Sequence, residues 1–211
     1  MGSRAAEVAQ LKEFYNGKTV LLTGVHGFKG SWFALLLHEL GANVVGVGLP
    51  ATDGLLFPLL RMEELGITAI ELDVRDRALV HLTQTVNPDV VFHLAAQPIV
   101  SVGYADPYLT YSSNVLGVVN VLDGVRALQK HVSVINVTTD KVYRNIEKPE
   151  AYLEDDELMG NDPYSSSKSC SELVTYAYRH SFFQNTEGPE GKLVSTCRAG
   201  NVIGGGDFAL N

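Results

Sequence analysis

Between Lys18 and Leu40 the chain passes from a compact apolar strand, Lys18-Thr-Val-Leu-Leu-Thr23, through the turn Gly24-Val-His-Gly27-Phe-Lys-Gly30 into a helix expected over Ser31 to Leu40. No other stretch limits the fold so strongly. Glycines between a strand and a helix allow a tight turn, close approach of bare backbone to a pyrophosphate, and close packing of helix on strand. An apolar stripe of Trp32, Leu35, Leu36 and Leu40 is expected to face the sheet, and Gly41 is placed to end the helix. The spacing is G-x-x-G-x-x-G rather than G-x-G-x-x-G, and a plain tight turn also uses glycine. The position between strand and helix is what favours a dinucleotide-binding unit.

The same rhythm continues along the chain. Residues 1–17 read as a short helical or loose leader. Further strands are expected at Asn43–Val47, Thr68–Leu72, Val90–Leu94, Ser133–Val137 and Leu193–Ala199. Helical stretches are expected over about Leu55–Leu65, from an Asp76 cap through Thr85, over Tyr108–Lys130, and from the Tyr164 region to about Phe183. Strands alternating with helices imply an α/β fold with a doubly wound parallel sheet of Rossmann type. The expected organisation is a leader at 1–17 followed by a dinucleotide-binding domain at 18–200.

In open parallel sheets ligands bind outside the carboxyl ends of the strands. The chemically suggestive groups all fall there: the glycine turn, Asp73-Val74, Ala95-Ala96-Gln97, Thr139-Asp140-Lys141 and Asn201. Asp162-Pro163 then suits the N-cap and first position of a helix. On that helix Tyr164 and Lys168 are four residues apart and share a face. Free tyrosine titrates near pH ~10, so forming the phenolate at neutral pH costs about 4 kcal/mol. A neighbouring ammonium, and a cationic nicotinamide ring when one is bound, lower that cost. An acid that would bind the cofactor's ribose is missing at the end of the second strand, where the chain runs into Gly48-Leu-Pro50 and the nearest acid is Asp53. No arginine stands at that strand end to hold a 2′-phosphate, which favours NAD over NADP.

Composition narrows the partners. With 24 acidic against 16 basic residues the formal charge is -8, and without a basic cluster this argues against nucleic acid. No apolar run approaches membrane-spanning length, so no membrane partner and a cytoplasmic location are expected. Cys170 and Cys197 suggest neither a disulfide framework nor a zinc site. His26 and His93 lack metal-ligand companions and read as structural, and no metal is expected. The run Glu154–Glu157 reads as a solvated loop.

Five segments together resemble the extended short-chain dehydrogenase/reductase superfamily (NAD-dependent epimerase/dehydratase type), and within it the CDP-glucose 4,6-dehydratases. They are Thr23-Gly-Val-His-Gly-Phe-Lys-Gly-Ser-Trp32, Phe92-His-Leu-Ala-Ala-Gln-Pro98, Thr139-Asp-Lys141, Asp162-Pro-Tyr-Ser-Ser-Ser-Lys168 and Arg198-Ala-Gly-Asn-Val-Ile-Gly-Gly-Gly-Asp207. The Tyr-x-x-x-Lys pair is generic, whereas Phe-Lys-Gly-Ser-Trp and Asp-Lys are more specific. The chain departs from the pattern with Val25-His26 in the turn, and members continue past the position of Asn211 into a substrate-binding region, of which the resemblance makes residues 201–211 the start.

The resemblance implies NAD as cofactor, held by Gly24, Gly27, Phe28, Lys29, Gly30, Asp73, Val74, Leu94, Ala95, Ala96, Gln97, Asn114, Thr138, Tyr164 and Lys168. It implies a sugar nucleotide, CDP-glucose, as substrate, met by Gln97, Thr139 and Asn201. Tyr164 would take the proton of the 4-hydroxyl, Lys168 would lower the tyrosine's pKa, and Thr139 would bond the same oxygen. Asp140 would act as acid for the leaving 6-hydroxyl and Lys141 as base at C5. As a base, Lys141 would need burial or a nearby cation. A homodimer or dimer of dimers is implied, built on the helices near 108–130 and 163–183. Two other readings stay open: a sugar-nucleotide 4-epimerase, which does not need Asp140 and Lys141, and a truncated, non-catalytic NAD-binding module.

Overall fold

The computed structural model describes residues 2–52, 54–184 and 188–207. A helix, α1 (Gly2–Tyr15), precedes the sheet. The strands are β1 (Thr19–Thr23), β2 (Asn43–Gly48), β3 (Thr68–Glu71), β4 (Val90–His93), β5 (Val132–Val137) and β6 (Lys192–Cys197). They form one six-stranded sheet in the order β3-β2-β1-β4-β5-β6, and every pairing is parallel. The winding direction reverses between β1 and β4, so a crevice opens at their carboxyl ends. There Thr23 lies beside Val47 on one side and His93 on the other, and His93 lies beside Asn136.

The apolar runs of the strands follow from burial on both faces. Along β1, Val20 and Leu22 join Ala34, Leu37, Phe57 and Phe92 on one side. Leu21 joins Leu79, Leu122, Val125 and Val134 on the other. Each such side chain contributes about 1.5–3 kcal/mol by leaving water. The first layer is roofed by α2 (Phe28–Glu39) and α3 (Leu56–Leu59), the second by α4 (Ala78–Val86), α7 (Gly117–Arg126) and α8 (Pro163–Ser181).

Several expected elements differ in detail. Helix α2 starts at Phe28, and its buried face is Gly30, Ser31, Ala34 and Leu37, while Trp32 and Leu36 are exposed. A Cβ on Gly30 would lie 1.9 Å from the Gly24 carbonyl oxygen. Helix and turn are therefore in backbone contact, and that contact selects the small-residue face over the expected stripe. The stretch Leu55–Leu65 is not one helix. It breaks into α3 and a 3₁₀ turn at Met62–Leu65, because Arg61 takes a left-handed conformation (φ 51°).

The long helix expected over 108–130 is three consecutive pieces: α6 (Pro107–Tyr111), a π-turn at Ser112–Leu116, and α7, which ends at Arg126. Asp106 caps its start by accepting from Leu109 N at 2.9 Å. A further short helix, α5 (Val100–Ala105), lies in the segment expected to be loop. Among the described residues no helix is long and apolar enough to cross a membrane.

Candidate active site

A cavity of about 1150 Å³ lies across the carboxyl ends of the strands. On the β1 side its wall is mostly backbone. Gly24 has φ +78°, a conformation that disfavours other residues, and its amide donates to Val47 O at 2.7 Å. A Cβ at Gly24 would sit 2.8 Å from Ala95 N, so the glycine turn and the Leu94–Gln97 segment approach as bare chain. Helix α2 starts immediately beyond Gly27, directing free amides at the cavity, with Phe28 and Lys29 in the same wall. Glycine backbone, a helix N-terminus and a lysine form a donor set that fits the pyrophosphate of a dinucleotide.

The cavity gathers most of the residues picked from sequence. Gly24, Gly27, Phe28, Lys29, Gly30, Asp73, Val74, Leu94, Ala95, Ala96, Gln97, Thr138, Thr139, Lys141, Tyr164, Lys168 and Asn201 all line it. Asn114 and Asp140 do not. Asn114 is buried in the π-turn, where its amide accepts from Gln97 N (2.8 Å) and donates to Gln97 O (3.0 Å) and Ser167 Oγ (2.8 Å). It fastens the Gln97 loop to α8. The side chain of Gln97 is itself occupied, accepting from Ile99 N at 2.7 Å and donating to Thr110 Oγ1 at 2.7 Å. Asp53, the acid nearest the end of β2, lies outside the described residues.

Helix α8 presents the tyrosine and lysine. Asp162 caps it, accepting from Ser165 N at 3.1 Å, and Pro163 occupies the first turn. Lys168 is buried and its Nζ donates to Val137 O at 3.2 Å. Burial, followed by the charge of Lys29, brings its pKa down to about 8, with Glu172 acting in the opposite direction. Tyr164 behaves otherwise than expected. Burial pushes its phenol above the ordinary value, a bond with the Thr139 hydroxyl offsets part of this, and Asp140 and Asp162 add to the rise. Without a bound cation the chain does not lower this phenol, because the Lys168 ammonium is aimed at a backbone carbonyl.

Past β5 the wall changes to side chains. Thr139 accepts from Lys141 N at 3.4 Å and opens a 3₁₀ turn, Asp140–Val142. Its hydroxyl donates to Asp140 Oδ1 at 3.1 Å, and Lys141 Nζ bonds Asp140 Oδ1 (3.1 Å) and Asn201 Oδ1 (3.2 Å). Asp140 and Lys141 are both exposed, with side chains 54% and 45% accessible. The neighbour of Lys141 is thus a carboxylate, and neither the burial nor the cation that a lysine base calls for is present.

The histidines are structural in their contacts. His26 Nδ1 bonds Leu49 O at 2.6 Å and its ring meets Phe57 edge-on. His93 Nδ1 bonds Thr23 Oγ1 at 2.7 Å, and complete burial holds the ring neutral, with a pKa of about 3. In the acidic run, Glu157 pairs with Arg144 and Asp156 pairs with Lys148. No group of three metal-ligating side chains occurs among the described residues. Sequence reading missed Arg75, which lines the cavity just after β3 but is paired with Asp73 at 2.6 Å. It also missed the buried pair Glu172–Arg198 at the back of α8. The i+4 spacing of Glu172 from Lys168 was the available signal.

Residues 21–186 match the family model described as GDP-mannose 4,6 dehydratase. Over 201 residues the chain is 45% identical to a CDP-glucose 4,6-dehydratase of Salmonella typhimurium, covering 94% of this chain and 56% of that protein. It is 30% identical over 171 residues to UDP-glucuronate 4-epimerase 1 of Arabidopsis thaliana, covering 78% and 39%. Among solved structures, a UDP-glucose 4-epimerase of Thermus thermophilus in complex with NAD superposes with a TM-score of 0.65 at 25% identity, covering 78% of this chain and 51% of that one. A dTDP-glucose 4,6-dehydratase of Streptomyces venezuelae shares the fold, with a TM-score of 0.69 at 24% identity and 85% and 54% coverage. The chain spans about half the length of the curated relatives it matches.

Proposed function

From its membership of the GDP-mannose 4,6 dehydratase family, we propose that this chain binds NAD and carries the redox centre of a sugar-nucleotide 4,6-dehydratase acting on CDP-glucose. The observation that carries this reading is that Thr139, Tyr164 and Lys168 line the same cavity as the glycine turn, with Asp140-Lys141 following Thr139 directly. NAD, when bound, would supply the hydride acceptor for C4 and return the hydride at C6. Tyr164 takes the proton of the 4-hydroxyl while Thr139 holds the same oxygen. Lys168 would bind the nicotinamide ribose, and the phenolate is stabilised once the cationic nicotinamide is in place beside it. Asp140 protonates the departing 6-hydroxyl, and Lys141 takes the C5 proton made acidic by the neighbouring ketone, a role that requires bound substrate to bury Lys141 and break its pair with Asp140.

Identity to a CDP-glucose 4,6-dehydratase, together with the Asp140-Lys141 pair, supports dehydration over 4-epimerisation. Incubation with CDP-glucose and NAD decides the matter. A 4-keto-6-deoxy product supports the dehydratase, a 4-epimer supports the epimerase, and NAD binding with no turnover supports a binding module. A cytoplasmic homodimer belongs to the same reading. Tyr104, Tyr108 and Leu116 from the α5–α7 region and Leu173 and Tyr176 from α8 are exposed large hydrophobic residues, which supports burial of these helices against a second copy. Sedimentation at micromolar concentration tests it.

A further inference from the structure

Behind the redox pair lies an ion pair that the proposed reaction does not use. Glu172 is 5% exposed and sits one turn beyond Lys168 on the same face of α8. Its carboxylate is saturated with donors. Oε1 accepts from Thr138 Oγ1 and from Arg198 Nε (3.0 Å), and Oε2 accepts from Thr196 Oγ1 (2.8 Å) and Arg198 Nη2 (3.0 Å). Arg198 reaches on to Tyr143 Oη at 3.0 Å and Glu154 O at 2.9 Å, and lies over the Tyr143 ring. One carboxylate thus ties the catalytic helix to the residue before Thr139, to β6, and to the loop leading into the helix. Asp140 N donates to Ala199 O at 3.0 Å, so the next residue along from Arg198 also holds the Thr139–Lys141 turn.

We propose that Glu172 is the positioning residue of the redox pair: through its bidentate contact with Arg198 it docks α8 on the ends of β5 and β6, and it supplies the negative charge that Lys168 meets inside the wall. This deepens the redox reading of the same site. The groups facing Lys168 are few. Lys29 from α2 repels it, His93 from β4 is neutral, Tyr164 on its own helix is uncharged, and Glu172 is the anion. Arg198 divides that anion's attention. The two partners should therefore move Lys168 in opposite directions, which a purely structural clamp would not do.

The test follows the Lys168 side chain by carbon NMR in lysine-labelled protein as pH is raised, with Lys168→Met to assign its resonance. Neither NAD nor a sugar nucleotide is needed, so the outcome is separable from failure of the dehydratase reading. Glu172→Gln keeps the shape of the carboxylate and should lower the Lys168 midpoint by about one pH unit. Arg198→Met leaves the carboxylate unshared and should raise it. Loss of thermal stability in both variants with an unmoved Lys168 midpoint overturns the proposal, as does a shift of the same sign in both. Should Arg198→Met fail to fold, Thr196→Val, which removes one donor from the carboxylate, must raise the midpoint or the proposal falls.

Discussion

Where the cavity passes β1 its wall is backbone, and where it passes β5 and β6 its wall is side chains. On the first side, glycines at 24, 27 and 30 and the start of α2 offer amides whose position is set by covalent geometry and helix packing. On the second, Thr139, Lys141, Tyr164, Lys168 and Asn201 are positioned by hydrogen bonds to one another and to strand ends. A backbone site suits a ligand part that never changes, such as a pyrophosphate. A side-chain site suits protons that must move. The two sides should therefore fail differently.

The largest failure is expected from Tyr164→Phe, which removes the proton acceptor. Sugar oxidation should fall about 10³-fold, while NADH affinity measured by fluorescence stays within a few-fold. Equal losses in both would erase the division between the two sides.

Gly30→Ala attacks the other wall. Its Cβ would fall 1.9 Å from the Gly24 carbonyl, costing about 3 kcal/mol of stability, and NADH binding should weaken with it. Urea unfolding and calorimetry read both. Lys141→Met should slow elimination about 10²-fold while leaving NAD binding untouched. A substrate-dependent absorbance of reduced cofactor would then persist instead of decaying.

A pH series sharpens the picture of Lys168. Its folded pKa of about 8 lies below the ordinary 10.5, so between those values the unfolded chain binds more protons than the folded one. Stability contributed by this group rises with pH through that window and is lost as pH falls through about 8. Urea midpoints should show the rise in the parent and lack it in Lys168→Met.

The smallest effect is expected at Gly17, which has φ +74° but open space around it. Gly17→Ala should cost about 1 kcal/mol of stability and leave cofactor binding unchanged. If it weakened NADH binding as Gly30→Ala does, the role given to the glycine wall would be wrong.

How much was legible varies by element for physical reasons. Strand β1 and the turn after it were readable because burial on both faces demands an unbroken apolar run and a close approach demands glycine. The face of α2 was not, since it depends on which residues let the helix touch the turn. Trp32, the largest apolar residue of that helix, and Leu36 are exposed. The π-turn at Ser112–Leu116 has no periodic signature of its own. It shows only when Asn114 is seen bonded to both Gln97 and Ser167.

The sequence by itself determined the alternation of strand and helix, the glycine turn, and the Tyr164–Lys168 spacing, because these are local consequences of backbone geometry and side-chain periodicity. Only the tertiary structure decided what surrounds the two ionisable groups. That Lys168 is buried against the Val137 carbonyl and Lys29, and that Tyr164 is buried beside Thr139, depend on residues distant in the chain, whereas Glu172 beside Lys168 and Asp140 beside Lys141 are local neighbours. Protonation is set by desolvation and by neighbours in space, and neither is written in the order of residues.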